Sequence, residues 1–324
     1  MKIILGFGRS GTTWLADVVS KLLGKLILFE PLHPSVTERS EQLSYRRLTS
    51  HVDTMWLTQY LEAVLGKRHM KPWLMRNHVP VTIDKIDPDF LDYLWRECDI
   101  GGFKEIRMNF QIPWLVQQKV GSILFVIRDP RAVVASILNR PNFWEFGWPR
   151  TFELCVSQIL DDPAFARHPV QRHADFMRSA QEDFERIAIM WALAHAVALD
   201  DCKKYGIPLI RYEDLYRDPF NTVKQIVKAC NLDPRPVHPS CIFSPSLTTN
   251  KTFHGIYNVD QRVKRGDFSF FWNGTLSAYQ CSAIVDIACA FGLQEYVEGE
   301  ELLSAPWWCA PTRIDEVHPS CDAA

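Results

Sequence analysis

A chain of 324 residues, 47% of them hydrophobic, has ample apolar material for one large α/β domain or two small ones, which excludes a disordered or fibrous protein. Its 36 Lys and Arg stand against 38 Asp and Glu, so no net field draws it to nucleic acid or an anionic membrane, and any basic site must be local. The nine cysteines contain no C-x-x-C pair and are odd in number, as suits free thiols in a reducing compartment, which argues against a disulfide framework.

Met1-Lys2 runs straight into the apolar Ile3-Ile4-Leu5, with glycines and an arginine close behind. Neither a signal-peptide core nor an 18-residue apolar span is visible, and a soluble, cytoplasmic protein with no membrane partner is expected. A buried strand is predicted over Ile3 to Phe7, followed by a glycine-rich loop and a helix over Thr12 to Leu23, whose apolar Trp14, Leu15, Val18, Val19 and Leu22 recur at helical spacing. The second strand is predicted over Leu26 to Phe29. From His33 to Asp99 the pattern is helical in parts, broken at Pro72, Pro80 and Pro88, and reads as an insertion over the carboxyl edge of the sheet.

Gly102 to Ile106, Ile123 to Ile127 and Pro208 to Tyr212 are the remaining short apolar runs that read as strands. Between them, Asn139 to Arg150 carries Phe143, Trp144, Phe146 and Trp148 between two prolines and reads as a long loop, and Ala180 to Lys204 as a long helix. His238 to Tyr257, rich in Pro, Ser and Thr, is a second predicted loop, Ser277 to Leu293 a helix, and the tail after Pro306 has no clear element. Strands alternating with helices predict an α/β fold: a P-loop-like three-layer α/β/α sandwich on a central, mostly parallel sheet, in one domain over residues 1–324.

Two segments carry chemistry. Gly6-Phe7-Gly8-Arg9-Ser10-Gly11-Thr12-Thr13 places a glycine loop between a strand and a helix, an arrangement that aims backbone N–H groups at an anion. Its G-x-x-x-x-G spacing fits a Walker A loop, yet Thr12 stands where a nucleoside triphosphatase has its lysine, and the nearest cation, Arg9, lies inside the loop. That disfavours a kinase or ATPase.

The second segment, Arg128-Asp129-Pro130-Arg131 with Ser136 eight residues past Arg128, again follows a strand and opens a helix. A guanidinium there can fork onto a phosphate with two parallel hydrogen bonds, and Ser136 can reach the same face. Either segment alone could be an ordinary helix start, capped by Ser and Thr or by an Asp–Arg pair. Together they suit a ligand with two phosphate groups.

Gly8 to Leu15 resembles the 5′-phosphosulfate loop of sulfotransferases that use 3′-phosphoadenosine 5′-phosphosulfate (PAPS), and Arg128 to Ser136 resembles their 3′-phosphate site. Phe29-Glu30-Pro31, with His33 nearby, resembles the Tyr-Glu-Pro segment of carbohydrate 6-O-sulfotransferases. Arg211-Tyr212-Glu213-Asp214-Leu215 resembles the family's R-Y-E-D-L segment, and Trp272 with the helix after it resembles its C-terminal element.

The resemblance implies a sulfotransferase in which Arg9, Ser10, Gly11, Thr12, Thr13 and Trp14 hold the 5′-phosphosulfate, Arg128 and Ser136 the 3′-phosphate, and Tyr212 the adenine. Arg262, Lys264 and Arg265 lie where the family has a basic loop against the 3′-phosphate, at a departing spacing that leaves the choice among them open.

It implies further that Arg9 and Lys104 stabilise the transferring group and that Glu30 takes the acceptor's proton, with Glu105 and His78 as rivals for that role. Burial is expected to raise the pKa of Glu30 into a useful range. No metal is required, because Arg9 and the loop share the charge of the leaving phosphate. The partner is a carbohydrate or small-molecule acceptor, with no nucleic acid.

Overall fold

The computed structural model describes residues 1–78, 87–139, 148–232, 272 and 275–297. In chain order its strands are β1 (Lys2–Gly6), β2 (Leu26–Phe29), β3 (Ile100–Glu105), β4 (Ser122–Ile127) and β5 (Leu209–Arg211). The longer helices are α1 (Thr12–Leu23), α2 (His51–Leu65), α3 (Pro88–Glu97), α4 (Ile112–Gln117), α5 (Pro130–Leu138), α6 (Trp148–Asp161), α7 (Ala174–Ser179), α8 (Asp183–Tyr205), α9 (Pro219–Ala229) and α10 (Ala278–Ala290).

The five strands form one sheet in the order β2-β3-β1-β4-β5, and every described pairing is parallel. Parallel strands need crossovers that cover both faces, which is why β1, β2 and β4 are almost wholly buried apolar runs. On one face Ile4, Ile27, Leu124, Val126 and Ile210 pack against Leu15, Ala16 and Val19 of α1 and Ile226 of α9. On the other, α8 runs through the largest core cluster, where Ile187, Trp191 and Ala194 meet Val133, Val134 and Ile137 of α5 and Ile284 of α10. The three-layer α/β/α expectation holds.

Local sequence sets the helix boundaries. Gly24 closes α1 in the left-handed conformation, and Gly206 does the same for α8. A capping box of Glu182 and Glu185 opens α8, and Ser277 with Gln280 does so for α10.

The insertion contributes to the core: Leu57, Leu61 and Val64 of α2 and Leu91 and Trp95 of α3 belong to the same buried cluster as Ile3, Leu5, Leu28 and Phe103. Its apolar stripes therefore serve as part of one helical layer. The predicted loop over Asn139 to Arg150 gives way at Trp148, where α6 starts; Pro149 sits in the first turn, where its missing N–H costs no helical hydrogen bond. The predicted loop over His238 to Tyr257 and the tail after Pro306 lie outside the described residues.

Neighbouring β1 and β4 send their chains to opposite faces, β1 into α1 and β4 into α5. In an open parallel sheet that reversal leaves a crevice at the carboxyl ends of the two strands. The glycine loop and the Arg128 segment both begin there.

Candidate active site

Backbone conformation shapes the loop after β1. Arg9 has φ 69° and Gly11 φ 90°, both left-handed, and Ser10 N–H donates to Phe7 C=O across 3.1 Å. Left-handed residues beside ordinary ones turn successive N–H groups to one side, and the first helical N–H groups of α1 have no intrahelical acceptor. Among the described residues no side chain caps α1, and the fully buried Ser10 Oγ makes no hydrogen bond. A buried hydroxyl without a partner is costly, so Ser10 Oγ is a candidate contact for a bound group.

Gly11 also decides how close the neighbouring wall can come. A Cβ on Gly11 would lie 2.1 Å from Tyr212 Cδ2, so only glycine admits that ring. Tyr212 in turn lies under Arg128, whose guanidinium carbon stands 4.4 Å from the ring centroid. Trp14 is half-buried and packs against the α1-side core.

The two predicted segments meet directly. Arg128 Nη1 donates to the Arg9 carbonyl at 3.1 Å, and Arg9 Nε donates to Ser136 Oγ at 2.9 Å. From behind, Trp191 Nε1 donates to the Arg128 carbonyl at 3.1 Å, and Glu213 accepts Asp129 N–H at 2.9 Å. The two arginines of the second segment divide their work. Arg131 forks onto Asp129, the N-cap of α5, at 3.1 and 2.8 Å and lies over Trp272, so it is part of the helix cap, while Arg128 faces the glycine loop.

A second cluster sits at the carboxyl ends of β2 and β3. Lys104 Nζ donates to Glu30 Oε1 at 2.5 Å and Arg107 Nη1 to Glu30 Oε2 at 3.0 Å. Lys104 is 2% and Glu30 6% exposed, and Lys104 Nζ lies 3.8 Å from the centroid of the Phe29 ring. Glu30 holds a left-handed φ of 43°, the kind of strained backbone that collects at functional positions.

The expected rise in the Glu30 pKa does not occur. Burial pushes it up, but Lys104, Arg107 and His33, with the hydrogen bond from Lys104, pull harder, and the carboxyl is held well below the usual carboxylate range. Arg107 was missed by strand alternation because it follows β3 rather than belonging to it. The run Lys104-Glu105-Ile106-Arg107, with two cations flanking a carboxylate, was the available signal.

Of the rivals for the base, Glu105 is fully buried and accepts the N–H groups of Leu32, Ile106 and Arg107 at 2.6, 2.8 and 3.1 Å. Its lone pairs are engaged in holding the strand end. His78 closes the 3₁₀ turn Pro72–His78, and its side chain lies outside the described residues, as do Arg262, Lys264 and Arg265.

His33 stacks on Trp73 with ring centroids 3.7 Å apart, and its Nδ1 accepts Ser35 N–H at 3.1 Å. Burial, with the cations Arg107, Lys104 and Arg76 outweighing Glu30, lowers its pKa to about 3, so it is neutral at pH 7. Trp73 meets Phe29 edge-on at 5.5 Å and carries the Arg76 guanidinium 4.6 Å from its centroid. These rings make an aromatic wall beside Glu30. Among the described residues no helix is long and apolar enough to cross a membrane.

No family model matches the sequence, and no curated protein does either. Among the solved structures that resemble the chain are the sulfotransferase domain from the curacin biosynthetic pathway and that from the Synechococcus PCC 7002 olefin synthase. Each is 16% identical with a TM-score of 0.43 over 90% of this chain, covering 97% and 94% of the two domains respectively. A TM-score below 0.5 at that identity assigns neither family nor activity.

Proposed function

We propose that the chain is an O-sulfotransferase that takes a sulfuryl group from PAPS and passes it to an acceptor hydroxyl. The observation that carries this reading is the junction of the two anion-binding segments through Arg128, Arg9 and Ser136. A ligand with phosphate groups at both ends of an adenosine needs two cradles a short distance apart, and here a glycine loop and a basic helix start are bonded to each other.

In this reading the loop from Arg9 to Trp14, with the unpartnered Ser10 Oγ, holds the 5′-phosphosulfate. Arg128 and Ser136 hold the 3′-phosphate, joined by one or more of Arg262, Lys264 and Arg265. Tyr212 walls the crevice and meets the adenine. PAPS supplies a sulfuryl group on a phosphate leaving group, and such transfer depends on alignment and charge stabilisation more than on covalent help. Arg9 and Lys104 provide the charge without a metal, and Glu30 receives the acceptor's proton.

The acceptor class rests on Phe29-Glu30-Pro31 and its resemblance to the carbohydrate enzymes. The Trp73 wall beside Glu30 suits a sugar ring, and it suits a flat phenol or other small alcohol equally well.

Calorimetric titration tests the donor: tight binding of adenosine 3′,5′-bisphosphate without Mg²⁺ is expected, and a preference for ATP with Mg²⁺ would sink the reading. Screening sugars, alcohols and phenols with radiolabelled PAPS then identifies the acceptor.

A further inference from the structure

Glu30 meets a difficulty as a proton acceptor: at rest both of its oxygens are taken by cations. We propose that Lys104 alternates between two anions, neutralising Glu30 while the site is empty and leaving it for the sulfuryl end of the donor, so that Glu30 becomes a base only when a donor is in place. Arg107 is the positioning residue that keeps the carboxylate in line during the exchange. This deepens the sulfotransferase reading above and rests on it.

Topology puts Lys104 within reach of both. Strand β3 lies between β2, which leads into Glu30, and β1, which leads into the glycine loop. Lys104 is in register with Phe29 on one side and Ile4 on the other. In-register residues of parallel strands point to the same face, and Ile4 packs on Leu15 and Ala16 of α1. Lys104 therefore leaves the sheet on the side where α1 and its loop begin, on a flexible four-carbon stem.

The ion pairs are arranged for an exchange of partners. Lys104 holds Oε1 and Arg107 holds Oε2, so departure of Lys104 frees one oxygen while the other stays anchored. A buried cation cannot leave its carboxylate without finding another anion, and the sulfuryl group is one. Glu105 spends its oxygens on three backbone N–H groups. Burial alone would raise the proton affinity of Glu30, and Lys104 is the largest influence opposing it, so its departure moves Glu30 toward accepting a proton.

The chemistry balances. The acceptor oxygen forms the new S–O bond, the bond from sulfur to the 5′-phosphate oxygen breaks with its electron pair leaving on the phosphate, and the acceptor's proton goes to the vacated Glu30 Oε1.

The test needs no acceptor and no turnover. PAPS is titrated at pH 5 into the full chain in two buffers of different ionisation enthalpy, which gives the protons taken up on binding. The wild type is expected to take up a measurable fraction of a proton more than Glu30→Gln, and Lys104→Met, whose Glu30 has lost its partner beforehand, is expected to lose that excess. Equal uptake in wild type and Glu30→Gln overturns the proposal, as does an undiminished excess in Lys104→Met. Should Glu30→Gln fail to fold, the uptake of Lys104→Met is compared with wild type directly, and an equal uptake overturns the proposal. If neither PAPS nor adenosine 3′,5′-bisphosphate binds the wild type, the sulfotransferase reading falls and takes this with it; binding without Glu30-dependent uptake sinks the exchange alone.

Discussion

The ring of Tyr212 lies so close over Gly11 that a methyl group there would come within 2.1 Å of Cδ2. The end of β5 and the loop after β1 are thus fitted together around an absent side chain. Gly11→Ala meets both this clash and the left-handed backbone at φ 90°. It is expected to destabilise the fold and weaken adenosine 3′,5′-bisphosphate binding by more than about 10-fold. Adding Tyr212→Ala removes the clash and should restore part of the stability in urea unfolding, leaving about 1–2 kcal/mol of backbone strain. No recovery in the double variant would refute the packing relationship.

Arg128 and Arg131 are two residues of one motif in different employment. Arg128→Ala is expected to abolish measurable bisphosphate binding while leaving the helix cap intact. Arg131→Ala breaks the pair with Asp129 and the contact with Trp272, and is expected to lower thermal stability more than affinity. Calorimetry and thermal melts on the two variants separate these roles, and equal losses of affinity would place Arg131 in the phosphate cradle as well.

Glu30→Gln keeps the volume of the side chain but removes its charge. Binding of the bisphosphate should survive, and turnover should fall by at least about 10²-fold, the lower end of what a general base contributes. Near-normal turnover would move the base elsewhere.

The buried pair of Glu30 and Lys104 also has a signature in stability. Removing one partner strands the other, so Glu30→Gln or Lys104→Met alone is expected to cost about 3 kcal/mol or more. The double variant should cost less than the two singles together, and a denaturant double-mutant cycle measures the coupling. Strict additivity would mean that the pair is not formed in solution.

His195 on α8 is fully buried, with Nδ1 against the Trp191 carbonyl at 2.7 Å and Nε2 without a partner among the described residues. Burial, only partly offset by that hydrogen bond, lowers its pKa to about 4. The unfolded chain, with a pKa near 6.5, then binds the proton first, so stability is full above about pH 6.5 and falls as the pH drops toward 4. The loss attributable to His195 is about 3 kcal/mol over that window. Urea unfolding across the range should show a shallower acid slope in His195→Gln than in wild type, and parallel slopes would count against it.

Sequence by itself determined the alternation of strands and helices, the positions of the glycine loop and the arginine-bearing helix start, and the lack of a Walker lysine. These are local matters: apolar period, glycine at left-handed positions and the residue type next to a helix start act within a few neighbours of one another. Only the tertiary structure decided which arginine of Arg128-Asp129-Pro130-Arg131 faces the glycine loop, because the answer depends on Asp129 and Trp272 competing for Arg131. It likewise decided the charge state of Glu30. Desolvation is legible from a hydrophobic context, but whether burial raises or lowers a carboxyl's pKa depends on which cations the sheet order brings beside it. Parallel pairing of β2 with β3 put Lys104 and Arg107 on a residue more than seventy positions earlier in the chain.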